Sequence, residues 1–274
     1  MASAPLRIRA QIVAMRLLTA LLKLLGQRER VAHWRWRRAR RRRLAAEAAG
    51  SDRLSRPALH EMDMRLDEII DRDGGFFVEA GANDGFTQSN TYWLERFRGW
   101  RGLLVEPVPE LAALARTDRP DATVVSCALV PADEDGGTVT VRFGSLMSSV
   151  LGSHGDDAAE AAWVAPGLVL GWSDPYDAEV PARSLSAVLD ELEALPSEID
   201  LVSLDVEGYE LEVLRGLDLT RHAPRWLLVE VHDPAADRPP IEALLGERYV
   251  VHRMLSPLDV LYRRADVPAP AARA

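Results

Sequence analysis

Several apolar runs in this sequence end in groups that could do chemistry. The first, GGFFVEAGANDG, closes on Glu79, Gly81, Asn83 and Gly85. Its glycines permit tight turns and close approach of a ligand, and a helix starting near Thr87 would offer unpaired N–H groups to a carboxylate or phosphate. A second run, GLLVEP, ends at Glu106, 21 residues after Gly85. An acid at that distance, on the tip of the next strand, can accept both hydroxyl protons of a ribose. Ser126 and Cys127 close a third run, where they either face a base ring or pack within the strand. IDLVSLDVEGYELEVLRGLDL ends its apolar part at Asp205 and continues with Glu207, Gly208 and Glu210, and LLVEVHD ends at Glu230 and His232. An imidazole titrates near neutrality, so His232 could take a hydroxyl proton with Asp205 or Glu230 orienting or assisting it. Each group also has a plainer reading: a tight turn, a strand-end acid, a first-turn helix acid for Glu210, a structural histidine.

The elements that must position these groups alternate. A helical pattern over Ala58–Arg72 leads into the strand before Gly81. Further strands are expected at Gly102–Glu106, Thr123–Leu129, Ile199–Asp205, Trp226–Val231, Tyr249–Met254 and Asp259–Arg263, with helical stretches between several of them. This implies an α/β fold with a mostly parallel, doubly wound sheet, which binds ligands at the carboxyl ends of its strands. Between the third and fourth strands runs a long section, Pro131 to Arg183, rich in Gly, Asp and Ala and containing SLMSSVLGSHG. Loops of that length usually serve as lids or substrate walls, which makes Ser148 and Ser149 candidate substrate contacts.

The 274 residues suffice for one such domain plus an appendage, and the charge says where the appendage lies. Residues 1–50 carry a net charge of +11 and the remainder −20. Arg9, Arg16, Lys23 and Arg30 recur every seventh residue among Ile12, Val13, Leu18, Leu22 and Leu25, the pattern of an amphipathic helix. The apolar part, Ile12 to Leu25, is too short to span a bilayer, and no secretory cleavage site accompanies it. WRWRRARRRR at 34–43 then mixes tryptophan with arginine, a composition suited to an anionic membrane surface, to nucleic acid, or to a solvated helix. We expect a basic helical extension over residues 1–57, one catalytic domain over 58–265 and a disordered tail over 266–274. Peripheral membrane contact would involve residues 6–43. A lone cysteine, Cys127, allows no intramolecular disulfide and fits a cytoplasmic protein, membrane-associated if the head binds lipid.

Taken in order, FFVEAGANDGFTQSNTYWLE, GWRGLLVEPVPEL, SLDVEGYELEVLRGLDL and LLVEVHD resemble the motifs of FkbM-type methyltransferases over roughly residues 58–263. The resemblance implies a class I, Rossmann-like methyltransferase sheet of seven strands, six parallel and a final antiparallel one, with S-adenosylmethionine as methyl donor. It matches Glu79, Gly81, Asn83 and Gly85 to the family's first cofactor motif and Glu106 to its ribose acid. Asp205, Glu207 and Gly208 match its DVEG signature. It implies O-methylation of a small-molecule, sugar or glycan hydroxyl, with no metal required, although the DVEG acids could orient an acceptor through a divalent cation. The competing readings are a cofactor-binding membrane adaptor without turnover, an RNA methyltransferase using the arginine block, and a nicotinamide enzyme. The acidic body argues against nucleic acid, and the missing G-x-G-x-x-G spacing argues against the nicotinamide enzyme.

Overall fold

The computed structural model describes residues 28–144, 147–170 and 175–270. Helix α1 (Arg28–Ala48) and helix α2 (Met62–Ile70) precede β1 (Phe76–Ala80). Then follow α3 (Tyr92–Arg98), β2 (Arg101–Val105), α4 (Pro109–Asp118), β3 (Thr123–Val125), β4 (Ala128–Leu129), β5 (Thr138–Phe143) and β6 (Ser149–Val150). The chain continues through α5 (Asp157–Leu170), β7 (Tyr176–Arg183), α6 (Leu185–Asp190), β8 (Leu201–Leu204) and α7 (Glu210–Arg215). It closes with β9 (Trp226–Glu230), α8 (Pro234–Leu245), β10 (Tyr249–Met254) and β11 (Asp259–Arg264).

Seven strands form one sheet in the order β10-β11-β9-β8-β1-β2-β3. The six others run parallel, and β11, the last in sequence, lies antiparallel to β9 and β10, which is the expected class I methyltransferase sheet. Alternation along the strands buries both faces. Val78, Leu103, Val202 and Leu227 face one core with Leu185, Leu189 and Leu214. Phe77, Leu104, Leu201 and Leu228 face the other with Met62, Leu66, Leu94 and Trp100. The chain order reverses between β1 and β8, and the splayed carboxyl ends there open a crevice.

Several expected elements are corrected. The third strand, expected over Thr123–Leu129, breaks at Ser126: β3 stays in the main sheet, while β4 pairs with β7 in a second, four-stranded sheet ordered β4-β7-β5-β6. The section 131–183 is therefore no long loop; β5 and β7 form an antiparallel pair over Thr138–Phe143 and Tyr176–Arg183. Its core of Val108, Ala128, Val141, Phe143 and Val180 is separate from the other two. The helix expected over Ala58–Arg72 is a short 3-10 turn at Leu59–Glu61 followed by α2, because His60 and Glu61 take positive φ.

The basic extension is not separate from the body over its final part. Arg43, almost fully buried, pairs with Asp118, donates to the Tyr92 hydroxyl at 3.0 Å and lies 3.5 Å over the Phe86 ring. Arg40 Nε donates to Asp118 at 2.8 Å, and Glu47 accepts from Tyr92 and Ser55. Disorder was expected from 266, but Val267 is buried and its N–H donates to the Arg264 carbonyl. Most of the amphipathic pattern over 6–30, and residues 271–274, lie outside the described residues. No described helix is long and apolar enough to cross a membrane.

Candidate active site

The site begins where β1 stops. Gly81 takes φ +81°, and a Cβ there would lie 1.8 Å from the Asp205 carbonyl oxygen, so the turn at the end of β1 and the chain leaving β8 touch only because residue 81 lacks a side chain. The helix expected near Thr87 begins at Tyr92 instead. The intervening segment is a loop held by acids: Asp84 Oδ1 accepts the N–H groups of Phe86 and Thr87, and Glu79 accepts from Ser89 Oγ, Asn90 N and Thr91 Oγ1. Those carboxylates occupy the donors that a helix N-terminus was expected to offer a ligand. Fully buried Arg119 ties the loop to α4, donating to Glu95 at 2.8 Å and to the Gly85 carbonyl at 3.1 Å.

A cavity partly open to solvent occupies the crevice. Of the expected cofactor contacts, Glu79, Gly81, Asn83, Glu106, Cys127 and Asp205 line it. Gly85 and Ser126 do not: Gly85 faces Ala115 and Arg119, and Ser126 sits where β3 leaves the sheet. Of the expected substrate contacts, Glu207, Ser148 and Ser149 all line it, although the Ser149 hydroxyl also donates to Glu160. Glu106, just beyond the tip of β2, is buried and accepts from Asn83 N at 2.8 Å and Val108 N at 2.9 Å. Burial pushes its carboxyl up to about 7, against those two N–H groups, which favour the charged form.

Asp205, Glu207, Glu230 and His232 come together at the ends of β8 and β9, as the parallel pairing requires, but of the expected catalytic residues only Asp205 lines the cavity: Glu230 and His232 do not, and the His232 Nε2 is buried. His232 Nε2 lies 3.2 Å from Glu230 and 3.8 Å from Glu207. Burial, then the Glu230 charge, push Glu207 up to about 8, and the same causes raise Asp205 well above the usual carboxylate range. Burial alone would raise Glu230 too, but contact with His232 and Asp205 holds it below its ordinary value. For His232 burial opposes the charge, yet Glu230, Glu210 and Glu207 prevail and push it up to about 9. His232 thus carries a proton at neutral pH in this form, so the expected proton acceptor must first release its own. Ligand atoms of Glu207, Glu230 and His232 lie within 4.8 Å of one another, a spacing that could suit a divalent cation, but the His232–Glu230 ion pair explains their approach without one.

The profile of the FkbM methyltransferase domain matches residues 79–254. The chain belongs to the FkbM methyltransferase family. A curated relative, the methyltransferase sdnD of Sordaria araneosa, is 42% identical over 77 residues, 26% of this chain and 30% of that protein. Among solved structures, an FkbM methyltransferase from Methylobacillus flagellatus superposes with a TM-score of 0.41 at 18% identity, covering 70% of this chain and 44% of that one. A TehB-like S-adenosylmethionine-dependent methyltransferase from Corynebacterium glutamicum gives 0.40 at 14% identity, covering 87% and 98%. The matched part therefore spans less than half of the first two relatives.

Residues that the sequence did not single out complete the site of this FkbM domain. Trp163 of α5 stacks on His154 at 3.9 Å and meets the His232 ring edge-on at 4.6 Å, roofing the acid cluster. The His154 ring lies where a Gly208 Cβ would be, 2.8 Å away. Glu160 locks this roof by accepting from Gly152 N and His154 N. Trp163 stands in the section 131–183, which reads as a long loop, so only the fold of α5 and the second sheet brings it over His232.

Proposed function

We propose that this FkbM methyltransferase transfers a methyl group from S-adenosylmethionine to a hydroxyl oxygen of a sugar, glycan or natural product. The observation that carries the reading is one cavity bounded by Gly81 and Glu106 on one side and by Asp205 and Glu207 on the other. When bound, the donor supplies a methyl already activated on a sulfonium. The chain's own work is to align the acceptor and dispose of its proton. Glu106 accepts the ribose hydroxyls with the lone pairs left free by Asn83 and Val108. Gly81 admits the donor close to the backbone, and buried Cys127 offers an apolar wall for its base.

On the acceptor side, Asp205 and Glu207 accept hydroxyl hydrogen bonds, with Ser148 and Ser149 on the facing wall. The acceptor's proton ends on His232, whose ring Glu230 orients, by way of Glu207, which lines the cavity and lies 3.8 Å from the His232 Nε2, once His232 has lost its own proton. Hydroxyl-rich acceptors suit a wall of carboxylates, whereas the −20 charge of the chain beyond residue 50 would repel a nucleic acid backbone. Calorimetry of the full chain with S-adenosylhomocysteine and with NAD tests the donor: saturable binding of the first alone is expected, and binding of neither overturns the reading. Comparison of methylated glycans and metabolites from cells with and without the protein tests the acceptor; loss of a methyl ether is expected, and loss of an N-methyl product alone overturns O-transfer.

A further inference from the structure

The cationic helix α1 splits by its own period. Trp36, Arg40, Arg43 and Glu47 recur at spacings of four, three and four and are the less exposed, while Arg37, Arg38, Arg41 and Arg42 are exposed, as is Trp34 at 57%. The inward stripe is anchored: Arg40 and Arg43 hold Asp118, and Glu47 holds Tyr92, Ser55 and Arg96. The helix is therefore fixed to the body with its outer arginines turned away from it. Arg43 lying over Phe86 joins it to the loop that follows Gly81.

We propose that the outer face of α1 docks on an anionic phospholipid surface. Two observations select lipid over nucleic acid. The cationic face carries an exposed indole, a side chain that settles at the boundary between headgroups and acyl chains. In sequence it follows directly on Ile12–Leu25, whose leucines at 17, 18, 21, 22, 24 and 25 gain nothing from a phosphodiester backbone and much from an acyl layer. A polybasic face and a short apolar segment together are the two signals that hold a protein at a membrane without spanning it. The acidic remainder, at −20, requires that only this face approach the surface.

Co-sedimentation of the full chain with vesicles of phosphatidylcholine, alone or mixed with phosphatidylglycerol, tests the proposal without any donor or acceptor present. Binding to the anionic vesicles only is expected, weakening steeply with added salt. Replacing Arg37, Arg38, Arg41 and Arg42 together by glutamine should weaken it by roughly fivefold per arginine, with S-adenosylhomocysteine affinity and thermal midpoint unchanged. The same variant reads out docking separately from methyl transfer, so failure here leaves the proposed activity standing. Equal binding to neutral vesicles, no binding to either, or tighter binding to single-stranded RNA at the same salt would overturn it.

Discussion

Glu106 and His232 both hold protons that their tasks require them to lose, which makes each visible in a pH profile. The Glu106 carboxylate must be charged to accept two ribose hydroxyls, and its carboxyl is pushed up to about 7 with Asp84 and Tyr176 as its charged and titratable neighbours. Donor affinity should therefore rise with pH through about 7. Glu106→Gln should weaken S-adenosylhomocysteine binding by about 10- to 100-fold and flatten that pH dependence, measured by calorimetry, because a hydrogen bond to a charged group contributes about 1.5–3 kcal/mol. For His232, a base must start unprotonated, and its pKa of about 9 places the active form on the alkaline side. The kcat of the wild type should rise as pH approaches 9, and His232→Gln should lower kcat by about 10²- to 10⁴-fold and remove that rise while leaving donor affinity alone. Wild-type turnover in the variant would sink the assignment. The chemistry of these residues was legible from their types at strand ends. Their protonation was not, because it is set by burial and by three carboxylates that only folding brings to one histidine.

At the scale of elements, agreement and disagreement have separable causes. The central strands β1, β2, β8 and β9 were readable because each is a short apolar run closed by a turn signal, and burial on both faces demands such a run. The second sheet was not: β5 and β7 carry Thr, Arg, Asp and Glu on their exposed sides, and what stabilises them is pairing with each other and with β4 and β6, together with a small core that includes Val108 and Ala128 from elsewhere in the chain. The start of α3 was misplaced by five residues because Asp84 and Glu79 capture the N–H groups of the preceding loop. Helix α1 shows the opposite failure, in which a run of arginines, read as a membrane, nucleic-acid or solvated face, contains the buried side chain of Arg43. Arg43→Ala would leave the Asp118 carboxylate buried with only Arg40 beside it. It should lower unfolding free energy by about 3 kcal/mol in urea denaturation. A change below about 0.5 kcal/mol, typical of exposed sites, would mean that α1 is not joined to the body as described.

For the whole molecule, the buried acids set how stability depends on pH. An unfolded chain ionises its glutamates near 4.5, whereas folding raises Glu106 and Glu210 to about 7 and Glu207 to about 8, so in between the folded state holds protons that the unfolded state has lost. His232 acts in the same direction, binding a proton from about 6.5 up to about 9 only when folded. Stability must therefore fall as pH rises from mildly acidic to about 9. Thermal unfolding of the ligand-free protein should show a midpoint lower at pH 9 than at pH 6, by on the order of 5 °C or more. An unchanged or higher midpoint at pH 9 would mean that the acids at the carboxyl edge are not buried together.

Apolar runs and turn residues, which act locally, were enough to place the strands and the groups at their carboxyl ends, whereas the seven-stranded methyltransferase sheet entered only with the resemblance to FkbM-type enzymes and its strand order was settled by pairing between distant strands. Tertiary structure alone decided which of those groups meet. Asp205 and His232 are 27 positions apart, and Trp163 and His154 come from α5 and the turn before it, between two strands of the second sheet. Their approach depends on pairing between β8 and β9 and on the second sheet folding back over Gly208. Contacts of that range follow from packing of whole elements, which no window of neighbouring residues encodes.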